Sequence, residues 1–148
     1  MKKAKFYFLI SLFSIISVIN VMISQEIISE QLEYSRRYIF PFGNENDSKL
    51  SDSMKKLLDM MILKVKEKNS NLRIKIDSHA FSLKIKSDKL QKLSEERAMN
   101  AVRYITSKGL PKAKVLYRGY GDRMPILDAA LPESIQRNNR IEFMVVEK

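Results

Sequence analysis

Chemistry has few places to start in this chain. His79 is the only histidine and there are no cysteines. That excludes a cysteine nucleophile, a disulfide framework, a cysteine-rich zinc site and a cysteine lipid anchor. A lone histidine can serve as a general base, but no serine constellation around it is readable from spacing. The carboxylates are scattered, with no glycosidase-like pair, and one histidine among them is a poor start for a metal site. Gly119-Tyr120-Gly121 lacks the glycine and lysine spacing of a phosphate loop. Read on its own, His79 is a hydrogen-bonded residue at a strand end. The expectation is a protein that is not an enzyme and uses no cofactor and no metal. The residue equipped to bind something is Arg97, whose five donors form a planar fork suited to a carboxylate.

Arg97 belongs to a helix expected over 87–108. At helical spacing Ala98, Ala101, Val102 and Ile105 share one face, and the two alanines let a sheet approach closely. Arg97 sits at the edge of that face, where its guanidinium could reach over the rim of the sheet or pair with Asp122 or Glu133. Ser87 or Asp88 caps this helix, and Gly109 stops it, with Pro111 just beyond.

The remaining elements follow from pattern. Residues 38–42 read as a strand in which Pro41 favours an edge or an end. Residues 43–47 are a turn cluster. Ser51 or Asp52 caps a first helix running to about Lys68, with Met54, Leu57, Leu58, Met61, Ile62 and Val65 as its apolar stripe. Residues 69–71 break it. Residues 72–76 alternate as a strand with one buried face. A third strand spans 113–119, a long connection follows with a short helical turn after Pro132, and the last strand spans 139–146. This order predicts an α+β fold, a two-layer βαβαββ sandwich whose mixed four-stranded sheet carries its helices on one face. Leu58, Ile62, Ile74, Ile76, Val102 and Ile105 should share one core.

An N-terminal apolar leader or anchor helix precedes the domain. Lys2, Lys3 and Lys5 flank an uncharged, mostly apolar run from Phe6 to Ile23. Those 18 residues span about 27 Å as a helix, just under the hydrocarbon thickness of a bilayer. The basic flank stays cytoplasmic, so the rest is delivered outside. Ser24 is small but Met22 is not, which leaves a cleaved signal and a retained membrane anchor both open. The expected division is 1–24 signal peptide or anchor, 25–37 linker and 38–148 domain.

The net charge is +10. A basic domain suits nucleic acid, anionic lipid or an anionic wall polymer, but a lysine-rich solvated surface accounts for the charge without nucleic acid, and none is expected as a partner.

Several motifs together carry a family resemblance. They are LSxxRA at 93–98, Gly109-Leu110 at the helix end, GYGDxxPI at 119–126 and NxRIE at 138–142. The chain from about 38 to 147 thereby resembles the OmpA-like peptidoglycan-binding domain. The resemblance implies a non-enzymatic module of the periplasm or cell envelope that holds the diamino acid of the wall's peptide stem. In that family the Arg of LSxxRA takes the stem carboxylate and the Asp of a GHTD-type motif takes the ammonium. Here Ser78-His79-Ala80-Phe81 stands in place of that motif, so Phe81 replaces the Asp, and Asn139 replaces the first Arg of the usual NRR. The implied wall-binding residues are Asn44, His79, Phe81, Ser94, Arg97 and Arg140. The implied partners are peptidoglycan, the membrane through 6–23 if the leader stays, and an envelope protein in the alternative reading. In that alternative the fold has lost wall binding and docks a protein through the Phe81 loop. Stator subunits of the flagellar motor carry this domain too, but the apolar run here has no Asp or Glu for proton transfer.

Overall fold

The computed structural model describes residues 36–67 and 71–147. The expected leader, most of the linker and the break after the first helix lie outside these residues. Strand β1 (Tyr38–Pro41) leads to helix α1 (Asp52–Glu67), strand β2 (Leu72–Ser78) and helix α2 (Ser87–Ser107). A 3-10 turn (Lys112–Lys114), strand β3 (Val115–Gly119), the short helix α3 (Ser134–Asn138) and strand β4 (Arg140–Glu147) complete it. The sheet order is β1-β4-β2-β3, with β4 antiparallel to both neighbours and β2 parallel to β3. This is the mixed α+β sheet the sequence predicts.

The sheet's alternation sorts its residues onto two faces. Ile74 and Ile76 pair across the ladder with Val145 and Phe143, and all four are buried beneath the helices. Leu58 and Ile62 of α1, and Ala98, Ala101, Val102 and Ile105 of α2, fill the other side of that core. Pro41 ends β1 at the sheet edge, as a residue without an N–H must.

Element ends differ from the sequence reading in physically instructive ways. β2 runs on through Asp77 and Ser78, because β4 and β3 pair with both. β3 starts later, since residues 112–114 coil into the 3-10 turn. Ser51 does cap α1, accepting the Met54 N–H at 3.3 Å. Neither Ser87 nor Asp88 caps α2: the N-cap is Lys86, without a side-chain bond, and the Ser87 hydroxyl donates to Asp122 instead (2.7 Å). Gly109 takes the expected left-handed stop at φ 83°.

Candidate functional site

Arg97 lies beneath residues 43–47 and is 0% exposed. Within that loop the Asn44 side chain accepts the Asn46 N–H (2.9 Å), the Asn44 carbonyl accepts the Asp47 N–H (3.1 Å), and the Asp47 carboxylate accepts the Lys49 N–H (2.9 Å). The Asn46 and Asp47 N–H groups are thus satisfied within the loop, and its carbonyls turn to the guanidinium. Arg97 Nε donates to the Asp47 carbonyl (2.7 Å) and Nη2 to the carbonyls of Glu45 (2.9 Å) and Asn44 (3.5 Å). Nη1 donates to the His79 carbonyl (2.7 Å) and to Asn139 Oδ1 (3.1 Å). The Phe42 ring lies under the fork, 4.0 Å from its centre. All five donors are used, so in this arrangement none is left for an outside carboxylate. Burial lowers the guanidinium pKa to about 10, opposed by Asp47 and Glu96, so it stays charged at neutral pH. Arg97 therefore reaches under the loop rather than over the sheet rim, and neither Asp122 nor Glu133 takes its charge.

Asn139 joins the same network. Its Oδ1 accepts the Phe81 N–H (3.1 Å) and its Nδ2 donates to the carbonyls of Phe81 (2.5 Å) and Ile135 (2.8 Å). An amide can accept and donate at once, so one side chain mimics a strand partner for the Phe81 backbone. Asn138 does the same for the next loop, accepting the N–H groups of Ile126 and Leu127 and donating to the Leu127 carbonyl. Phe81 is only 9% exposed. The apolar side chain this loop presents is Leu83, 65% exposed, which moves any protein docking here away from Phe81.

The remaining expected site residues separate. Asn44 and Phe81 stay with Arg97, and His79 meets it only through its carbonyl. Ser94 is buried under the strand ends, donating to the Gln91 carbonyl and accepting the Gly121 N–H (2.8 Å each). A Cβ at Gly119 would come within 2.6 Å of the Ser94 hydroxyl and 2.5 Å of the Glu95 nitrogen, so α2 lies directly on β3. Arg140 is on the helix-free face. Its Nε donates to Glu142 (2.7 Å) and its Nη atoms to the Met124 carbonyl (3.3 Å each).

The His79 ring shares that face, stacked on Tyr120 at 5.1 Å. Glu142 Oε1 is 3.6 Å from its Nε2, too long for a hydrogen bond, and both ring nitrogens are unpartnered. Burial, then Arg140 and Arg37, push its pKa down to about 4 against the pull of Glu142 and Asp77. The unfolded chain therefore binds the extra proton, and stability falls as pH drops from the ordinary 6.5 toward 4. This group alone should cost the fold about 2 kcal/mol between pH 7 and pH 5. Urea unfolding at the two pH values measures it, and His79→Gln should lose less over that interval; equal losses would refute the assignment.

A groove of about 520 Å³ opens beside the Arg97 network, lined by Asn46, Lys84, Ile85, Lys86, Lys89 and Leu93. Asn46 comes from the loop that Arg97 holds. The three lysines are exposed, and none pairs with a carboxylate among the described residues. The sequence reading passed over these lysines and the Asn139 clamp. The signal for the lysines was their crowding around the start of α2. Also among the described residues, no group of three or more His, Asp or Glu side chains gathers as metal ligands do.

Residues 43–140 match the model of the OmpA family. No curated protein sequence matches the chain. The OmpA-like domain of FopA1 from Francisella tularensis aligns with a TM-score of 0.60 at 22% identity, over 75% of this chain and 72% of that one. The C-terminal domain of MotB from Helicobacter pylori aligns at 0.63 and 16%, over 75% and 85%. The peptidoglycan-associated lipoprotein from Burkholderia pseudomallei aligns at 0.61 and 19%, over 74% and 89%. At these identities the likeness is one of fold.

Proposed function

The chain belongs to the OmpA family, and from that membership we propose that it is a non-enzymatic cell-envelope protein whose domain binds peptidoglycan and so tethers or organises the wall. The proposal includes export, with the domain outside the cytoplasm behind a cleaved leader or a membrane anchor. The observation that carries the wall-binding reading is the open groove against the loop that Arg97 organises. One structural relative bears peptidoglycan association in its name, which supports the same reading.

The residues divide the work in this proposal. Arg97 positions: by holding residues 44–47 it fixes Asn46 as one wall of the groove. Asn44 shapes that loop, and Phe81, clamped by Asn139, fixes where the second wall begins. Ser94, the His79 carbonyl and Arg140 hold the strand ends that support both. The full chain, purified in mild detergent, should co-sediment saturably with purified sacculi and be released by soluble muropeptides. A chain that stays in the supernatant at every sacculus concentration would overturn the proposal.

A further inference from the structure

We infer that the groove recognises the carboxylate groups of the wall's peptide stem and dispenses with a contact to a free side-chain amine. This rests on the wall-binding reading above and names what that site selects. Lys84, Lys86 and Lys89 bring three positive charges to one groove, and no acidic side chain lines it. Three carboxylates on neighbouring segments have hydrogen-bond partners of their own. Asp47 holds the Lys49 N–H, Asp122 accepts from Ser87, and Glu96 accepts from Ser48 (2.9 Å). Asp88 is on the first turn of α2 but does not line the groove. The Phe81 side chain has no acceptor for an ammonium, and the residue is buried. The guanidinium of Arg97 is saturated by backbone carbonyls and Asn139 Oδ1, so a ligand's carboxylates are left to the lysines. Three lysines line one groove that no carboxylate lines, so a ligand with two or more carboxylates finds complementary charge there.

Each exposed lysine–carboxylate contact is worth little alone, but the three together should give roughly a tenfold difference in affinity. The test uses the full chain and three preparations of sacculi: untreated, with carboxylates converted to amides, and with amines acetylated. Amidation should weaken binding roughly tenfold, while acetylation should leave it within about twofold. The triple variant Lys84→Gln, Lys86→Gln, Lys89→Gln should bind untreated sacculi as weakly as the native chain binds amidated ones, and should lose little more on amidation. Its melting temperature should match the native one, because the three side chains are exposed. Binding that ignores amidation, or a triple variant that binds like the native chain, overturns this inference alone. So does competition by polyglutamate as effective as that by muropeptides at equal carboxylate concentration, which would mark unspecific charge attraction. No binding to untreated sacculi overturns the wall-binding reading, and this inference falls with it.

Discussion

Arg97→Leu should lower the stability of the domain by about 3–5 kcal/mol, the cost typical of removing one partner from a buried charged network. The reason lies in what is left behind. The carbonyls of Glu45, Asp47 and His79, and Asn139 Oδ1, lose a charged donor together, and leucine offers none in return. Unmet acceptors in a dry site are more costly than the hydrogen bonds were favourable, so residues 43–47 should swing out to water. Arg97→Lys should recover only part of the loss, because one ammonium cannot span carbonyls on both the loop and the strand end. Thermal unfolding by circular dichroism reads the first effect, at roughly 15 °C for a domain of this size. Hydrogen exchange at Asn46 and Asp47 reads the second. A melting temperature within two or so degrees of the native value would show that water replaces the guanidinium at little cost.

Val102→Asp should be comparably severe. Val102 is buried between α2 and the sheet, in a core shared with Ile74, Ile76, Ile105 and Leu58. A carboxylate there has no cation within that apolar set, so it must either lose its solvation or take up a proton. A cost of about 4 kcal/mol or more follows. The loss should shrink at acidic pH, where the carboxyl is neutral, and urea unfolding at pH 7 and pH 4.5 separates that electrostatic part from the change in shape. An unaltered midpoint at pH 7 would mean that this face of α2 does not pack inward.

The core of this protein was written plainly in its sequence because apolar periodicity reports burial directly. Leu58, Ile62, Ile74, Ile76, Val102 and Ile105 each fell on the face that the sheet and helices enclose. The short helix after Pro132 and the Gly109 stop were legible for a similar reason, since local backbone chemistry sets them. The site was less legible. Arg97 announces a fork of five donors, but most of its partners are backbone carbonyls, those of residues 44–47 about fifty positions away, and a carbonyl has no residue type to read. Asn139 looked like the absence of an arginine, whereas its amide does work that only the folded loops define. The α2 cap was misplaced by one or two residues: Ser87 and Asp88 lie inside the helix, and the N-cap is Lys86.

The place of β4 in the sheet has a consequence for the order of assembly. β2, α2 and β3 are consecutive and β2 pairs directly with β3, so their contacts are the more local ones. β1 cannot join them: among the described residues its only strand neighbour is β4, and Phe40 must wait for Ile141. The closing step therefore spans almost the whole domain, which makes it the slow one. Lys84, Lys86 and Lys89 belong to the more local part, whereas Asn46 follows β1, and Arg97 has all its acceptors only when that loop and Asn139 are in place. A chain truncated before Asn139 keeps the lysines but lacks that residue and the strand that β1 pairs with.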